Sequence, residues 1–244
     1  MIETKSDTDK SLGWTLTNSK ISVLIAAAGQ GSRMESSIKK PYLMLNDKPI
    51  LSHTIDRFEQ NSVIDEILVI VNAADLDTCR KNVLMPYQYK KVREPVSGGN
   101  TRQESVFNGL RSISDDVDYV AVHDGVRPFI KDDIIFACLN AAAKYGASVS
   151  AVPVKETIKI ANVDNFIDQT PDRDQLWRVQ TPQVFRKSLL VEAHRKAIQD
   201  GISATDDAAL VERLGMPVKL VMGSYKNIKI TTKEDLLLAK TLLW

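Results

Sequence analysis

A near-continuous apolar stretch, residues 21–28, constrains the fold more than any other part of the sequence. A strand in the middle of a parallel sheet needs such a run, because helices cover both of its faces. Gly29 and Gly31 follow, and glycines allow a sharp turn and a close approach of the backbone to a ligand. We therefore predict a central strand that delivers a loop to the edge of a parallel sheet.

Positive charge follows these glycines. Arg33 lies in the same loop, and Lys39 and Lys40 stand before Pro41. Backbone N–H groups freed by a turn of this kind suit an anion, and the cationic side chains add full charge to them. The pattern predicts a cradle for a triphosphate, while a glycine turn with solvated surface cations is the alternative that it leaves open.

Two better-known glycine motifs do not match this loop. The dinucleotide-binding fingerprint would place a third glycine where Met34 stands. A phosphate loop of the form GxxxxGK[ST] does not occur in the chain. A dehydrogenase stays open as a rival class, which failure to bind NAD would exclude.

Length and charge limit the classes of function. The 244 residues are enough for a substantial core, and we predict one domain over residues 21–244. The 32 basic and 31 acidic residues leave a net charge of +1, which argues against a nucleic-acid or membrane-surface binder. Residues 1–20 are polar and lack the apolar core of a secretion signal, so we predict a flexible N-terminal extension.

The two cysteines, Cys79 and Cys138, fall in predicted helices and lack metal-ligand spacing. They predict neither a disulfide framework nor a zinc site, and we expect no side chain to be a metal ligand. Two cysteines without either role indicate that the protein works in a reducing compartment. Together with the absence of a long apolar segment, this predicts a cytoplasmic protein.

Predicted strands alternate with predicted helices along most of the chain. The strands cover residues 66–72, 91–94, 118–124, 147–154, 218–222 and 227–231. The main helices cover residues 73–82, 101–110, 131–145, 187–199 and 205–213, the last with Thr205 as its predicted cap, and a further helix begins at residue 232. Parallel strands need crossovers, which are almost always helical and right-handed. The pattern therefore predicts an α/β fold with a doubly wound, mostly parallel, Rossmann-like sheet, whose ligands bind beyond the carboxyl ends of the strands.

Residues 155–176 interrupt this alternation. Two short strands, residues 156–160 and 166–170, flank an Asn/Asp turn, a pattern typical of a β-hairpin, and a third short strand is predicted at residues 176–179. A two-stranded arm is only marginally stable alone. We predict that this β-arm packs on a second copy of the chain and forms a homodimer.

Charged residues cluster where two predicted strands meet the ligand edge. Asp124 and Arg127 end one strand, and a structural ion pair is the alternative to a role in binding. His123 is expected to be a satisfied strand-end histidine. Lys229 lies among apolar residues and needs an anion or carboxylate partner, unless it simply occupies an exposed face.

Six segments in this order resemble one family. They are the cradle, Gly98 to Ser105, His123 to Pro128, Trp177 to Gln183, Thr205 to Asp207 and Asn227 to Thr231. From about residue 21 to the C-terminus, the chain resembles the 2-C-methyl-D-erythritol 4-phosphate cytidylyltransferases. The resemblance implies a nucleotidyltransferase that transfers CMP from CTP to 2-C-methyl-D-erythritol 4-phosphate and releases pyrophosphate, in isoprenoid precursor biosynthesis.

The resemblance also implies roles for individual residues. The catalytic cations would be Arg33, Lys40, Arg173 and Lys229. The CTP-binding residues would be Ala27, Ala28, Gly29, Gly31, Gly99, Arg102, Ser105, Asp124 and Gly125. The second substrate would contact Arg127, Thr157, Thr181 and Thr205, with Arg173 and Thr157 reaching the partner subunit's site. Mg²⁺ would be held mainly by the CTP phosphates.

The sequence leaves some alternatives open. Lys39 stands where many relatives have proline, so either Lys39 or Lys40 is the phosphate-contacting lysine. Lys226 stands where relatives often carry an acid, which affects recognition of the substrate hydroxyls. Ribitol 5-phosphate is the alternative acceptor, and a non-catalytic nucleotide-binding protein is the alternative class.

Overall fold

The computed structural model describes residue 16, residues 18–29 and residues 39–243. The predicted extension, residues 1–20, thus lies largely outside the described residues, and so do Gly31 and Arg33 of the predicted cradle. Leu16 is buried in the main apolar cluster beneath the sheet. The first strand begins a few residues later, at Ile21.

A seven-stranded sheet forms the centre of the molecule. The strands in chain order are β1 (Ile21–Ala26), β2 (Met44–Leu45), β3 (Lys48–Pro49), β4 (Glu66–Val71), β5 (Val96–Ser97), β6 (Tyr119–Asp124), β7 (Ala147–Pro153), β8 (Ile160–Ala161), β9 (Ile167–Gln169), β10 (Trp177–Arg186) and β11 (Lys219–Met222). The order across the sheet is β11-β7-β10-β6-β1-β4-β5. Of these seven strands, β10 alone runs antiparallel to its neighbours, which confirms the predicted mostly parallel sheet.

Helices cover both faces of this sheet. They are α1 (Ile50–Glu59), α2 (Leu76–Cys79), α3 (Arg102–Leu110), α4 (Asp132–Tyr145), α5 (Lys187–Gln199), α6 (Asp207–Arg213) and α7 (Lys233–Leu242). Alternate residues of β1 show the two layers: Val23 and Ile25 pack with α1 and α4, while Leu24 packs with α3 and α5. The continuous apolar run of β1 is explained by this double coverage.

Local chemistry fixes several helix ends. The Thr101 hydroxyl accepts a hydrogen bond from the Glu104 N–H and caps α3. Gly146 ends α4 with a φ of 88°, a conformation that favours glycine. Thr232 and Asp235 form a reciprocal capping box at the start of α7, where the sequence predicted the helix.

Four predicted elements differ in the structure. Residues 91–94 form only an isolated bridge at Val92, and residues 227–231 are not a strand because the Ile230 N–H bonds to the Val126 carbonyl outside the sheet. Residues 73–82 form irregular helical turns around the short α2. The predicted cap at Thr205 was wrong: Asp206 caps α6, since its carboxylate accepts from the Ala209 N–H.

The hairpin predicted within residues 155–176 is present, with β8 and β9 paired antiparallel. Residues 155–170 are exposed throughout. The apolar side chains of Val163, Phe166 and Ile167 are 97%, 71% and 65% exposed. The sequence placed the third strand of this region at residues 176–179, whereas the structure extends it through residue 186 as β10, a full member of the central sheet.

Candidate functional site

A cavity of about 560 Å³ opens at the carboxyl ends of β1, β4 and β6. Its lining includes nine residues that the sequence predicted for the site, namely Ala27, Ala28, Gly29, Lys40, Gly99, Arg102, Ser105, Asp124 and Lys229. They come from five separate parts of the chain. They meet because parallel strands bring their carboxyl ends to one edge of the sheet.

The lining also contains polar residues that were not predicted from the sequence. Asn72 follows β4, Asn100 and Thr101 precede α3, and Thr231 precedes α7. Each lies beside a predicted site residue or at a strand end. Position at the ligand edge of the sheet was therefore a signal that could have found them.

The loop before α3 forms a closely packed wall of the cavity. A Cβ at Gly98 would lie 2.6 Å from the Ala28 Cβ and 2.7 Å from the Ser105 Oγ, so this position excludes a side chain. The Gly99 N–H donates to the Ser105 Oγ at 3.0 Å, and that hydroxyl donates to the Thr101 carbonyl at 2.8 Å. This closely packed wall presents polar groups at fixed positions beside the cavity.

Asp124 is the centre of a cationic cluster at the end of β6. Its Oδ2 lies 2.9 Å from the Arg127 Nε and 3.1 Å from the Lys229 Nζ. Burial raises the pKa of Asp124, but Lys229, Arg127 and Arg102 more than offset this and hold the pKa well below its usual range. Lys229 thus has a carboxylate partner and lines the cavity, and its side chain is also 43% exposed, so both predicted alternatives hold in part.

The two adjacent lysines differ in their surroundings. Lys39 donates to both carboxylate oxygens of Asp75, at 2.6 and 2.7 Å. Lys40 is 8% exposed and lines the cavity, which Lys39 does not. The geometry favours Lys40 as the lysine that meets a bound phosphate.

Several predicted site residues lie outside the lining. Thr181 is buried, and its hydroxyl accepts from the Asp124 N–H at 3.0 Å. Gly125 packs against Ala27, where an added Cβ would lie 3.0 Å from the Ala27 Cβ. The Arg127 guanidinium donates to Asp124 and to the Asn227 carbonyl. In the structure, these three residues, which were predicted to contact the substrates, instead pack behind the cavity lining.

The remaining predicted residues are more distant or lie outside the described residues. Thr205 is exposed just before α6, and Arg173 and Thr157 are exposed on the β-arm. The Arg173 guanidinium donates to the Lys155 carbonyl of the same arm. Gly31 and Arg33 belong to the part of the loop that the structure does not describe, so their roles remain predictions.

His123 lies fully buried beside Asp124. Its Nε2 lies 3.0 Å from the Arg127 carbonyl, to which the N–H form donates, and its ring meets the Phe58 ring edge-on at 4.9 Å. Burial lowers the pKa of His123 to about 4. The histidine is therefore neutral near pH 7, and its Nε2 orders the turn that carries Arg127. Its Nδ1 is buried without a hydrogen-bond partner among the described residues, so the expected satisfied strand-end histidine is satisfied at one ring nitrogen only.

This burial predicts a pH dependence of stability. The unfolded chain binds a proton at His123 near pH 6.5, whereas the folded chain does not until about pH 4. Stability therefore falls as the pH drops through this window, by about 3 kcal/mol at its lower end. Urea unfolding at several pH values measures it. The His123→Gln variant should lose most of this dependence of the unfolding free energy on pH. An unchanged dependence would contradict the assignment of the effect to His123.

A larger depression of about 1090 Å³ lies at the opposite, amino-terminal edge of the sheet. Arg186, Arg195 and Asp118 are among its lining residues. It contains none of the predicted site residues. The carboxyl edge, where ligands of doubly wound sheets bind, therefore remains the functional candidate.

The described part of the chain has no group of three or more His, Cys, Asp or Glu side chains arranged to hold a metal ion. Within the same residues, none of the helices combines the length and apolar character that crossing a bilayer would require.

A doubly wound sheet with a glycine-walled, cation-lined cavity at its carboxyl edge defines a nucleotidyltransferase of the α/β class. The family model described as IspD, 2-C-methyl-D-erythritol 4-phosphate cytidylyltransferase, matches residues 21–244. The chain belongs to this family. The match confirms the predicted family, enzyme class and reaction type, CTP-dependent cytidylyl transfer.

Individual relatives agree with the family model. The chain is 48% identical over 223 residues to the 2-C-methyl-D-erythritol 4-phosphate cytidylyltransferase of Caldanaerobacter subterraneus subsp. tengcongensis, covering 91% of this chain and 98% of that one. It is 49% identical over 222 residues to the enzyme of the same name from Syntrophotalea carbinolica, with 91% and 95% covered.

Solved structures show the same fold. The 4-diphosphocytidyl-2C-methyl-D-erythritol synthase of Anaerococcus prevotii superposes with a TM-score of 0.81 at 36% identity, over 92% of this chain and 96% of that one. The 2-C-methyl-D-erythritol 4-phosphate cytidylyltransferase of Francisella tularensis gives a TM-score of 0.79 at 34% identity, over 91% and 99%.

Proposed function

We propose that the chain transfers the cytidylyl group of CTP to 2-C-methyl-D-erythritol 4-phosphate in the cavity at the carboxyl edge. The products are 4-CDP-2-C-methyl-D-erythritol and pyrophosphate. We assign the reaction to this cavity because Lys40, Arg102 and Lys229 line it together, beside the Gly98–Gly99 wall. Three cations around one polar cavity suit a nucleoside triphosphate.

The base and ribose are proposed to lie along the wall formed by Ala28, Gly99 and Ser105. Gly98 packs directly against Ala28 and Ser105, and Gly99 packs against Glu104, so the wall is closely packed and its backbone groups have fixed positions beside the base. Backbone groups and the Ser105 hydroxyl then select a base by hydrogen bonds. Ala27, Gly29 and Asp124 are proposed to complete the nucleotide-binding surface, with Gly125 packed behind Ala27.

The chemistry requires no enzyme nucleophile. A phosphate oxygen of the alcohol phosphate attacks the α-phosphorus of CTP, and the bond to the bridging oxygen breaks, so that pyrophosphate leaves with the electron pair. Negative charge accumulates as two anions approach. Lys40, Lys229 and the predicted Arg33 are proposed to neutralise this charge, while Asp124 holds Lys229 in place.

Magnesium is proposed to enter as part of the substrate, MgCTP. Asp124 is the only carboxylate among the described lining residues, and its Oδ2 is already engaged by Arg127 and Lys229. This donor set suits an ion held by triphosphate oxygens and water, because Mg²⁺ commonly keeps most of its waters.

The acceptor phosphate is proposed to bind beyond Lys229, with Arg127, Thr181 and Thr205 on its side of the site. Thr181 and Arg127 are engaged in the fold, so their contribution would be to shape this side and supply charge. Lys226 is exposed near this end. The family resemblance led us to expect an acid at this position, so the cation is proposed to alter recognition of the acceptor hydroxyls.

The β-arm is proposed to pack on a second copy and to complete its partner's site with Arg173 and Thr157. The exposed apolar side chains of Val163, Phe166 and Ile167 support this, since a solvated hairpin with such a surface gains from being covered. The protein is proposed to act in the cytoplasm. Both of its cysteines are unpaired, as is usual in a reducing compartment.

A pyrophosphate-release assay tests this function. Purified protein with CTP and Mg²⁺ should turn over 2-C-methyl-D-erythritol 4-phosphate at least about 100-fold more efficiently than ribitol 5-phosphate, because hydroxyl positions discriminate strongly in a polar site. Faster turnover of ribitol 5-phosphate would overturn the acceptor assignment. CTP binding without pyrophosphate release from either acceptor would instead support a non-catalytic protein.

A further inference from the structure

Asp207 and His194 form a buried polar chain behind the cavity wall, and the proposed cytidylyl transfer does not use them. Asp207 is 1% exposed at the start of α6, and the His194 side chain in α5 is fully buried. The Asp207 Oδ1 lies 3.1 Å from the His194 Nε2, and its Oδ2 lies 2.7 Å from an Arg102 guanidinium nitrogen. Arg102 in turn lines the cavity.

The carboxylate at residue 207 remains charged in this interior. Burial raises the pKa of Asp207, but the hydrogen bond from His194 and the charge of Arg102 outweigh burial and lower the pKa. A buried charge is costly unless it is paired on well-placed partners. Here the partner is Arg102, whose side chain is 28% exposed and lines the proposed nucleotide site.

Several elements fix the position of the carboxylate. The Gln183 side-chain oxygen on β10 accepts hydrogen bonds from the N–H groups of Asp207 and Ala208, both at 3.1 Å. The Phe107 ring stacks on the His194 ring at 5.7 Å and an interplanar angle of 11°. The series of polar side chains that runs from His194 through Asp207 to Arg102 is therefore anchored in β10, α3 and α5.

We propose that Asp207 and His194 are positioning residues that hold the Arg102 guanidinium against the nucleotide. The inference rests on the proposed function, because it takes CTP as the ligand of the cavity. A free arginine side chain loses rotamer entropy when it binds, and a carboxylate that orders it beforehand removes that cost. Because Arg102 lines the cavity between Gly99 and Ser105, we place it on the base and ribose side, away from the reacting phosphorus. Its positioning therefore affects KM and the Kd of CTP far more than kcat.

A double-mutant cycle read by calorimetric titration of CTP tests this proposal. Asp207→Asn alone should weaken CTP binding about 10-fold, as expected for loss of a charge-assisted contact. In an Arg102→Ala background the same change should alter the Kd by less than about twofold, because the residue through which Asp207 acts is gone. Asp200→Asn is the matched control. Asp200 pairs with Lys196 at the exposed end of α5, and its removal should leave CTP binding unchanged in both backgrounds.

A second pair of variants separates positioning from folding. His194→Gln keeps an N–H donor for Asp207 and should bind CTP within about threefold of the unmodified protein, whereas His194→Leu should resemble Asp207→Asn. Equal losses from Asp207→Asn in both backgrounds, or an unchanged Kd, would overturn the inference alone. Failure of the unmodified protein to bind CTP would overturn the proposed function and this inference with it.

Discussion

Replacing Lys40 by alanine should lower kcat by about 10²- to 10³-fold, the usual effect of removing one preorganised charge that stabilises a transition state. Lys40 is buried at the cavity lining, where an ammonium group interacts with charge more strongly than in water. The proposed reaction builds negative charge on the transferred and leaving phosphates. Most CTP affinity should survive, since the contact strengthens chiefly in the transition state. Steady-state kinetics with a CTP titration measures both quantities.

Lys39 supplies a matched control one residue away. Its ammonium is held by both carboxylate oxygens of Asp75, away from the cavity lining. Lys39→Ala should therefore change kcat by no more than about twofold and stability by about 1 kcal/mol or less, as for other solvent-accessible ion pairs. Loss of CTP affinity in Lys40→Ala with kcat spared would contradict the catalytic role. A larger loss of kcat in Lys39→Ala than in Lys40→Ala would make Lys39, and not Lys40, the catalytic lysine.

The sequence was sufficient to predict the sheet and most of the cavity lining. The apolar runs of β1, β4 and β6 predicted parallel strands, and parallel strands place their carboxyl ends together. Ala28 and Asp124 lie almost a hundred residues apart, but both follow or end predicted strands, and the family resemblance assigned both to CTP; the structure places both in one lining. The glycines at residues 98 and 99 could be placed there for the same reason.

The sequence did not predict how the site is supported. The segment that contains Lys229 was predicted as a strand from its apolar alternation, but its backbone bonds to Val126 instead of to the sheet. Thr181 was assigned to the acceptor, whereas in the fold its hydroxyl accepts from the Asp124 N–H. In the sequence, Asp207 is only an acid near a helix start. Its pairing with Arg102 depends on tertiary packing across more than a hundred residues, which no local pattern encodes.

The β-arm raises the question of whether one chain suffices for catalysis. Arg173 lies on the arm, where its described hydrogen bond is to the arm's own Lys155 carbonyl. In the proposed homodimer it reaches the cavity of the other copy. Arg173→Ala and Lys40→Ala should then each be nearly inactive alone, because each damages every site of its own dimer.

Mixing these two variants after dissociation and reassociation tests the central claim that charge from two copies converges on one CTP. Random exchange makes half of the dimers mixed, and each mixed dimer contains one site with an intact body and an intact arm. We expect activity of about a quarter of that of the unmodified protein, as the symmetry of a two-fold dimer requires. A mixture no more active than the separate variants, with exchange verified by native mass spectrometry, would contradict it.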